Sequence, residues 1–374
     1  MAILINILAF VVIFSIVVFV HELGHFLIAR WNGVRVEVFA IGFGPELFGY
    51  NSSTGTRWKV CAIPLGGYVK MYGDADATSA RPKAKLSDEE KKNWSLSIFS
   101  KSAGQRAIIA LGGPIGNFIF AILVFFALFE IYGKPTPLPI LGSITTDSAA
   151  EKAGLKIGDH VLEFNGIPLD SFEQLSQQIK LNPGKDIKLK LKRNNEEIEI
   201  IATPETHETK DLAGTILKTG ILGVRPGAEQ KWTKIGPIDA VTESVKQTWF
   251  AATGTIEALG QMITGKRSAD ELGGPIRIFQ MTGQAAQVGI ASLISFMAML
   301  SIGLGVINLF PIPALDGGQV LFCAVEGIRG KPLNEKAQNY VTIFGVLIVL
   351  ALMIFSFWND LKHIKALEWV SSLF

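Results

Sequence analysis

Residues 3–29 read ILINILAFVVIFSIVVFVHELGHFLIA, and this stretch decides the class of fold. Residues 3–20 are apolar apart from Asn6 and Ser15, and such a run on a helix is long enough to cross most of a hydrocarbon core roughly 30 Å thick. It has neither a Lys/Arg-rich start nor a small-residue cleavage pattern, so it reads as a retained span rather than a signal peptide. His21 and His25 are four residues apart and share one helix face, with Glu22 beside them. Two imidazoles so placed can reach one metal ion, and the carboxylate can act on water held there. Helical H-E-x-x-H is a metalloprotease signature for that reason. Ionisable groups at the end of an apolar span are costly, which makes them functional candidates. The bland alternative is two histidines and a glutamate satisfied by hydrogen bonds within a helix bundle.

Outward from this stretch, the 374 residues are 49% hydrophobic and only 18% charged, against about 25% charged in soluble domains. Mean hydropathy is +0.35. Residues 107–131, 290–310 and 341–357 are further apolar runs of spanning length. The expected fold class is therefore an α-helical polytopic membrane protein with about four transmembrane helices, with β-hairpins at the membrane surface and an inserted α+β domain.

Orientation follows from the basic residues. The connection between the first two spans holds Arg30, Arg35, Arg57, Lys59 and Lys70 and continues to Lys101 and Arg106; the last connection adds Arg329, Lys331 and Lys336. Both should face the cytoplasm, which puts the termini and the central domain on the outer side of the membrane. A net charge of +2 gives no nucleic-acid signal. Cys61 and Cys323 both fall on the cytoplasmic side, so no structural disulfide is expected.

Residues 34–41 and 57–63 alternate apolar with partly polar residues between glycines and prolines, which reads as short strands or hairpins. Residues 75–92 are charged and read as a loop. Between the second and third spans the texture changes. A strand at 141–144, a helix at 148–153, a strand at 160–164 ending in Asn165-Gly166, and a helix at 171–180 come first. Ile187, Leu189 and Leu191 then alternate with Lys188, Lys190 and Lys192, and an Asn194-Asn195 turn leads into 198–201. The string AGLKIGDHVLEFNG at 153–166 resembles a PDZ domain of the bacterial protease type. Such domains bind extended chains by adding a strand to an open sheet edge, and Leu141-Gly142 marks the expected edge. Residues 212–226 hold strand-like pieces. Val241, Val245, Trp249, Ala252, Ile256, Leu259 and Met262 then form a helical stripe suited to a membrane surface. The expected organisation is 1–137 for the first two spans with a β-loop region, 138–205 for the PDZ domain, 206–289 for a linker and amphipathic helix, and 290–374 for the last two spans.

A hydrolytic zinc site uses three protein ligands and leaves one position open. Asp316 is the candidate third ligand. It follows an apolar span in backbone broken by Pro311, Pro313, Gly317 and Gly318, and irregular backbone at membrane depth is tolerated where it is buried or lines a watery cavity. An aspartate capping the next helix is the alternative. His160, His207 and His363 read as surface histidines.

HELGH at 21–25, IGFGP at 41–45, PLGGYVKM at 64–71, GGPIGNF at 112–118, GGPI at 273–276 and NLFPIPALDGG at 308–318 together resemble the site-2 protease family of zinc intramembrane metalloproteases, peptidase family M50. The likeness is strongest to the bacterial regulator of sigma-E protease branch. The resemblance implies one zinc ion held by His21, His25 and Asp316, with Glu22 as general base on zinc-bound water. It implies that Asn308 helps hold the substrate or the reacting carbonyl, and that Gly42, Phe43 and Gly44 belong to a membrane-dipping β-loop engaging a substrate strand. Leu141 and Gly142 would bind an extended chain on the PDZ domain. The implied partners are the lipid bilayer and single-span membrane proteins already shortened outside, such as an anti-sigma factor, or signal-peptide remnants; the PDZ domain would restrict entry. Well-known members of the branch carry two tandem PDZ domains, and here one is found. A non-enzymatic PDZ adaptor with structural zinc is the main alternative. An ion transporter is weaker, since no inverted repeat is evident.

Overall fold

The computed structural model describes residues 2–74, 93–210, 216–227, 229–268, 273–331 and 333–363. The charged stretch at 75–92 lies outside them. In chain order, helix α1 (Ala2–Trp31) is followed by strands β1 (Val36–Asn51) and β2 (Arg57–Met71) and by α2 (Ala103–Tyr132). Next come β3 (Lys134–Pro137), β4 (Leu141–Ile144), α3 (Ala149–Lys152), β5 (His160–Phe164), β6 (Ile167–Pro168) and α4 (Phe172–Lys180). Then follow β7 (Ile187–Arg193), β8 (Glu196–Ala202), β9 (Glu205–Lys210), β10 (Ile216–Ile221), β11 (Val224–Pro226) and β12 (Gln230–Thr233). Helices α5 (Pro237–Ile263), α6 (Pro275–Val288), α7 (Ile290–Asn308), α8 (Asp316–Arg329) and α9 (Glu335–His363) follow.

Among the described residues, four helices are long and apolar enough to cross a membrane: Leu4–Trp31, Ala103–Tyr132, Ile290–Asn308 and Lys336–Lys362. They match the four apolar runs, because in hydrocarbon each segment must satisfy its own backbone polar groups. The chain divides into two compact units, Met1–Leu128 with Val241–Phe374, and Phe129–Ala240.

In the first unit, the expected short strands are one larger sheet. Residues 36–41 pair with 67–71 along one side and, in ascending order, 38–41 pair with 57–60 along the other; residues 46–51 pair back onto 57–61. Glycines with positive φ at 42, 44 and 66 (84°, 86° and 93°) make the bends that fold each long strand into two segments. The sheet packs on α1 through Phe39, whose ring meets Phe19, Phe26 and Trp58 at 5.6, 5.8 and 4.3 Å. Phe19 and Phe26 are seven residues apart, so this face of α1 is fixed by aromatic packing while the next face carries the histidines.

Buried Asp360 near the end of α9 accepts hydrogen bonds from the backbone N–H groups of Gly274, Ile276 and Arg277 at 2.9, 2.9 and 3.1 Å. It serves the orphan amides at the start of α6, whose own N-cap Gly274 offers no side chain. This explains the GGPI motif: a Cβ on Gly274 would stand 2.7 Å from Ser356 Oγ. Asp360→Ala should lower stability by about 2–3 kcal/mol, the cost of losing a cap and leaving buried donors unpaired. Thermal unfolding in detergent checks it. On α5 the apolar stripe is exposed, Val245 at 46% and Trp249 at 71%, while Ser244 and Thr248 are buried.

The second unit contains a four-stranded sheet in the order β6-β5-β7-β8. Ile187, Leu189 and Leu191 are fully buried and the intervening lysines point outward, as their alternation requires. Asn165-Gly166 and Asn194-Asn195 both have positive φ, the condition for two-residue type I′ hairpin turns. Ser148 caps α3 and Ser171 caps α4. Asp159, 1% exposed at its side chain, is held by Arg193 at 2.7 Å, and that carboxylate pushes the Arg193 guanidinium pKa above its ordinary value. Within this unit β3 pairs with β12 and β4 with β11.

The expected recognition edge, Leu141-Gly142, lies in β4. β4 is paired along one side with β11, Val224 opposite Ile144 and Pro226 opposite Leu141. Leu141 is 1% exposed, and a Cβ on Gly142 would stand 2.6 Å from Gly227 Cα. β4 and β11 make a two-stranded sheet of their own. The partner strand arrives some eighty residues later in the chain, which local patterning does not reveal.

Candidate functional site

The first unit brings the distant sequence motifs to one point. His21 and His25 lie one turn apart on α1, and α8 begins at Asp316. The loop before α8 is tight: the backbone N–H of Ile312 donates to Phe310 O at 2.7 Å and that of Leu315 to Ile312 O at 2.8 Å. A Cβ on Gly317 would stand 2.5 Å from the Leu309 carbonyl carbon, and one on Gly318 the same distance from Pro313 Cα. The glycines after Asp316 therefore let the chain turn back over itself and deliver the carboxylate to α1.

His21 Nε2 lies 3.2 Å from Asp316 Oδ2 and 3.3 Å from His25 Nε2, while His25 Nε2 lies 3.4 Å from Asp316 Oδ1. Ligands about 2.05 Å from a tetrahedral centre stand roughly 3.3 Å apart, so the spacing fits a shared zinc ion. Asp316 Oδ2 is buried and makes no hydrogen bond among the described residues, despite its closeness to His21. Nor does Asp316 cap α8; the N-cap is Leu315, without a side-chain hydrogen bond. A buried acceptor with no donor, facing two imidazoles, is the donor set a divalent cation satisfies.

Helix α2 supports both rings from behind. His25 Nδ1 lies 2.9 Å from the Ile109 carbonyl oxygen. That oxygen can only accept, so the ring holds its proton on Nδ1 and turns the Nε2 lone pair inward. Close approach makes this possible: a Cβ on Gly24 would stand 2.7 Å from the Gly112 carbonyl carbon, and one on Gly116 3.0 Å from Val20 O. Small residues at a helix contact allow such backbone proximity.

Glu22 lines the same cavity, about 200 Å³, together with Gly67, Tyr68, Val69 and Met71 of β2, Arg106 and Ala110 of α2, and Gln319 and Cys323 of α8. A Cβ on Gly67 would come within 3.0 Å of Glu22 Cγ. The glycine thus lets the strand pass directly beside the carboxylate. Residues 67–71 are paired only with 36–41 among the described residues, so this cavity wall is a sheet edge. Cys323 is buried here, which raises its thiol pKa; Cys61 is buried in β2.

The other expected residues lie farther out. Asn308 ends α7 and is half-buried, but does not line the cavity. Gly42, Phe43 and Gly44 do not line it either, although the Phe43 ring stacks on Tyr68, which does, at 6.1 Å. His160 stands half-buried in β5 and His207 exposed in β9. Two nearby residues had no individual role in the sequence reading, Gly113 and Asn117. The signal was present: a lone asparagine and a glycine pair inside an apolar span are unusual enough to ask what they serve.

A model of the family described as Peptidase family M50 matches residues 9–352. The chain is similar to a Rhizobium meliloti (strain 1021) protein named as a zinc metalloprotease, 40% identical over 356 residues, 94% of this chain and 95% of that protein. It is also similar to the zinc metalloprotease RasP of Geobacillus kaustophilus (strain HTA426), 29% identical over 422 residues, 96% of this chain and 98% of that protein. Among solved structures, the PDZ domain of the SdrC-like protein from Listeria innocua matches 25% of this chain and 96% of its own at 23% identity and a TM-score of 0.19.

Proposed function

The chain belongs to peptidase family M50 and is a zinc metalloprotease with membrane-spanning helices, and from that premise we propose that it cuts transmembrane segments of other membrane proteins within the bilayer. The supporting observation is the meeting of His21, His25 and Asp316 at tetrahedral ligand spacing, with both histidines on a helix long and apolar enough to cross a membrane.

In this reading His21 and His25 bind zinc through Nε2 and Asp316 through its carboxylate. Bound there, the ion supplies Lewis-acid activation of water and of the scissile carbonyl. Glu22 takes the proton of the attacking water and delivers it to the leaving amide nitrogen. Asn308 is assigned a contact to the substrate beside that carbonyl. A substrate helix hides its carbonyls in internal hydrogen bonds, so it must unwind before attack. The edge at residues 67–71, beside Glu22, suits the unwound chain as an added strand. Gly42, Phe43 and Gly44 guide that chain, with Phe43 backing Tyr68.

The PDZ module would take an extended chain at the strand edge marked by Leu141 and Gly142 and admit single-span substrates already shortened outside. The chain's bacterial relatives favour a bacterial inner membrane, and charge bias favours that module and both termini being extracytoplasmic. The substrate would be a membrane protein such as an anti-sigma factor, or a signal-peptide remnant.

The test is reconstitution of the purified protein with a model single-span substrate. Cleavage should stop with a zinc chelator and return with added zinc. Chelator-insensitive cleavage, or none with an accessible substrate, counts against the reading; binding without cleavage would favour the adaptor.

A further inference from the structure

The reaction described above makes no use of Asn117, although it is a fully buried carboxamide within membrane-spanning α2. A polar side chain at such a position is expensive unless a partner needs it. Its Nδ2 lies 3.2 Å from Nδ1 of His21, on the side of the ring away from Asp316. Its Oδ1 is buried with no hydrogen-bond partner among the described residues.

The two nitrogens of an imidazole are coupled. If the Asn117 amide donates to Nδ1, the ring proton sits on Nε2, and that tautomer cannot bind a metal through Nε2. A ring that ligates through Nε2 keeps its proton on Nδ1 and needs an acceptor there. Carboxamide nitrogen and oxygen exchange places by a half-turn, and the hydrogen-bond network decides which faces a partner. The half-turn brings the unengaged Oδ1 to Nδ1. His25 has the equivalent acceptor in the Ile109 carbonyl, which cannot be the wrong way round. His21 depends on a side chain instead.

We propose that Asn117 is the positioning residue for His21: its carboxamide oxygen accepts the Nδ1 proton and leaves the Nε2 lone pair facing His25 and Asp316 for zinc. This rests on the metalloprotease reading and adds to it a third helix group that sets ligand orientation. The backbone of the same residue is held separately, since Ser301 Oγ donates to Asn117 O at 3.1 Å. That bond supplies a control.

The experiment is zinc binding to the full-length protein in detergent, measured by competition with a chromogenic chelator. N117L removes the acceptor at similar volume and should weaken zinc about 10–100-fold, as lost outer-shell partners do. N117D keeps an acceptor and should bind zinc at least as tightly as the wild type. S301A loosens the helix contact only and should bind as the wild type. Wild-type affinity in N117L, or a loss in N117D as large as in N117L, would overturn the proposal. Should N117L fail to fold, nitrogen-15 NMR of zinc-loaded wild type decides: His21 should carry its proton on Nδ1, and a proton on Nε2 overturns the proposal. A wild type that binds no zinc overturns the metalloprotease reading together with this one.

Discussion

Glu22→Gln is expected to lower turnover by about 10²–10⁴-fold, roughly 3–5 kcal/mol of barrier, while the protein keeps its zinc. The substitution is nearly isosteric, so the side chain can still pass Gly67, where a Cβ would come within 3.0 Å of Glu22 Cγ. What it loses is the ability to take a proton from water and return it to the leaving nitrogen. His21, His25 and Asp316 should keep their 3.2–3.4 Å spacings, because Glu22 is none of the three. Asp316→Asn should behave in the opposite order: zinc weakens first, because a neutral amide is a poorer ligand than a carboxylate, and cleavage falls as zinc is lost. Measuring kcat with a reconstituted substrate and zinc content on the same preparations separates the two. Cleavage by the Gln variant within threefold of wild type would remove Glu22 from the role of base.

The parts of this molecule that local physics dictates were readable from its residues. An apolar run in hydrocarbon must be helical, so the four spans were visible to within a few residues. Ile187, Leu189 and Leu191 announced a half-buried strand, and Asn165-Gly166 and Asn194-Asn195 announced its turns. Non-local pairing was not readable. Residues 36–51 double back at Gly42 and Gly44, so a single chain segment serves two places in one sheet. β4 pairs with β11, some eighty residues farther along the chain, and no local pattern signals such a partner. For the site, the two motifs named His21, Glu22, His25 and Asp316, since each carries its own chemistry in sequence. Asn117 and Gly113 carry none until α2 is laid against α1; their importance comes from what stands opposite them.

Gly113→Ala should therefore strip the protein of zinc, although alanine is the better helix former. A Cβ built on Gly113 would lie 2.5 Å from His21 Cε1 and 2.8 Å from His21 Nδ1, and would fall inside contact range of His25 Nε2. Carbon atoms prefer about 3.5–4.0 Å, so something must move by most of an ångström. The rings cannot recede without loss: His25 would give up its 2.9 Å bond to Ile109 O, and His21 its neighbour Asn117 at 3.2 Å. Nor can the helices part easily, because Gly24 and Gly112 already bring the two backbones together at this level. Either movement spoils ligand spacings that tolerate only a few tenths of an ångström. Zinc affinity should fall more than about 100-fold, beyond the loss of one outer-shell partner, and cleavage should fall with it. Gly104→Ala on the same helix meets nothing within 4 Å and should leave zinc content and cleavage unchanged. If Gly113→Ala held zinc as tightly as the wild type, the imidazoles would have to stand somewhere other than the space α2 leaves for them, and the tetrahedral arrangement with Asp316 would fail.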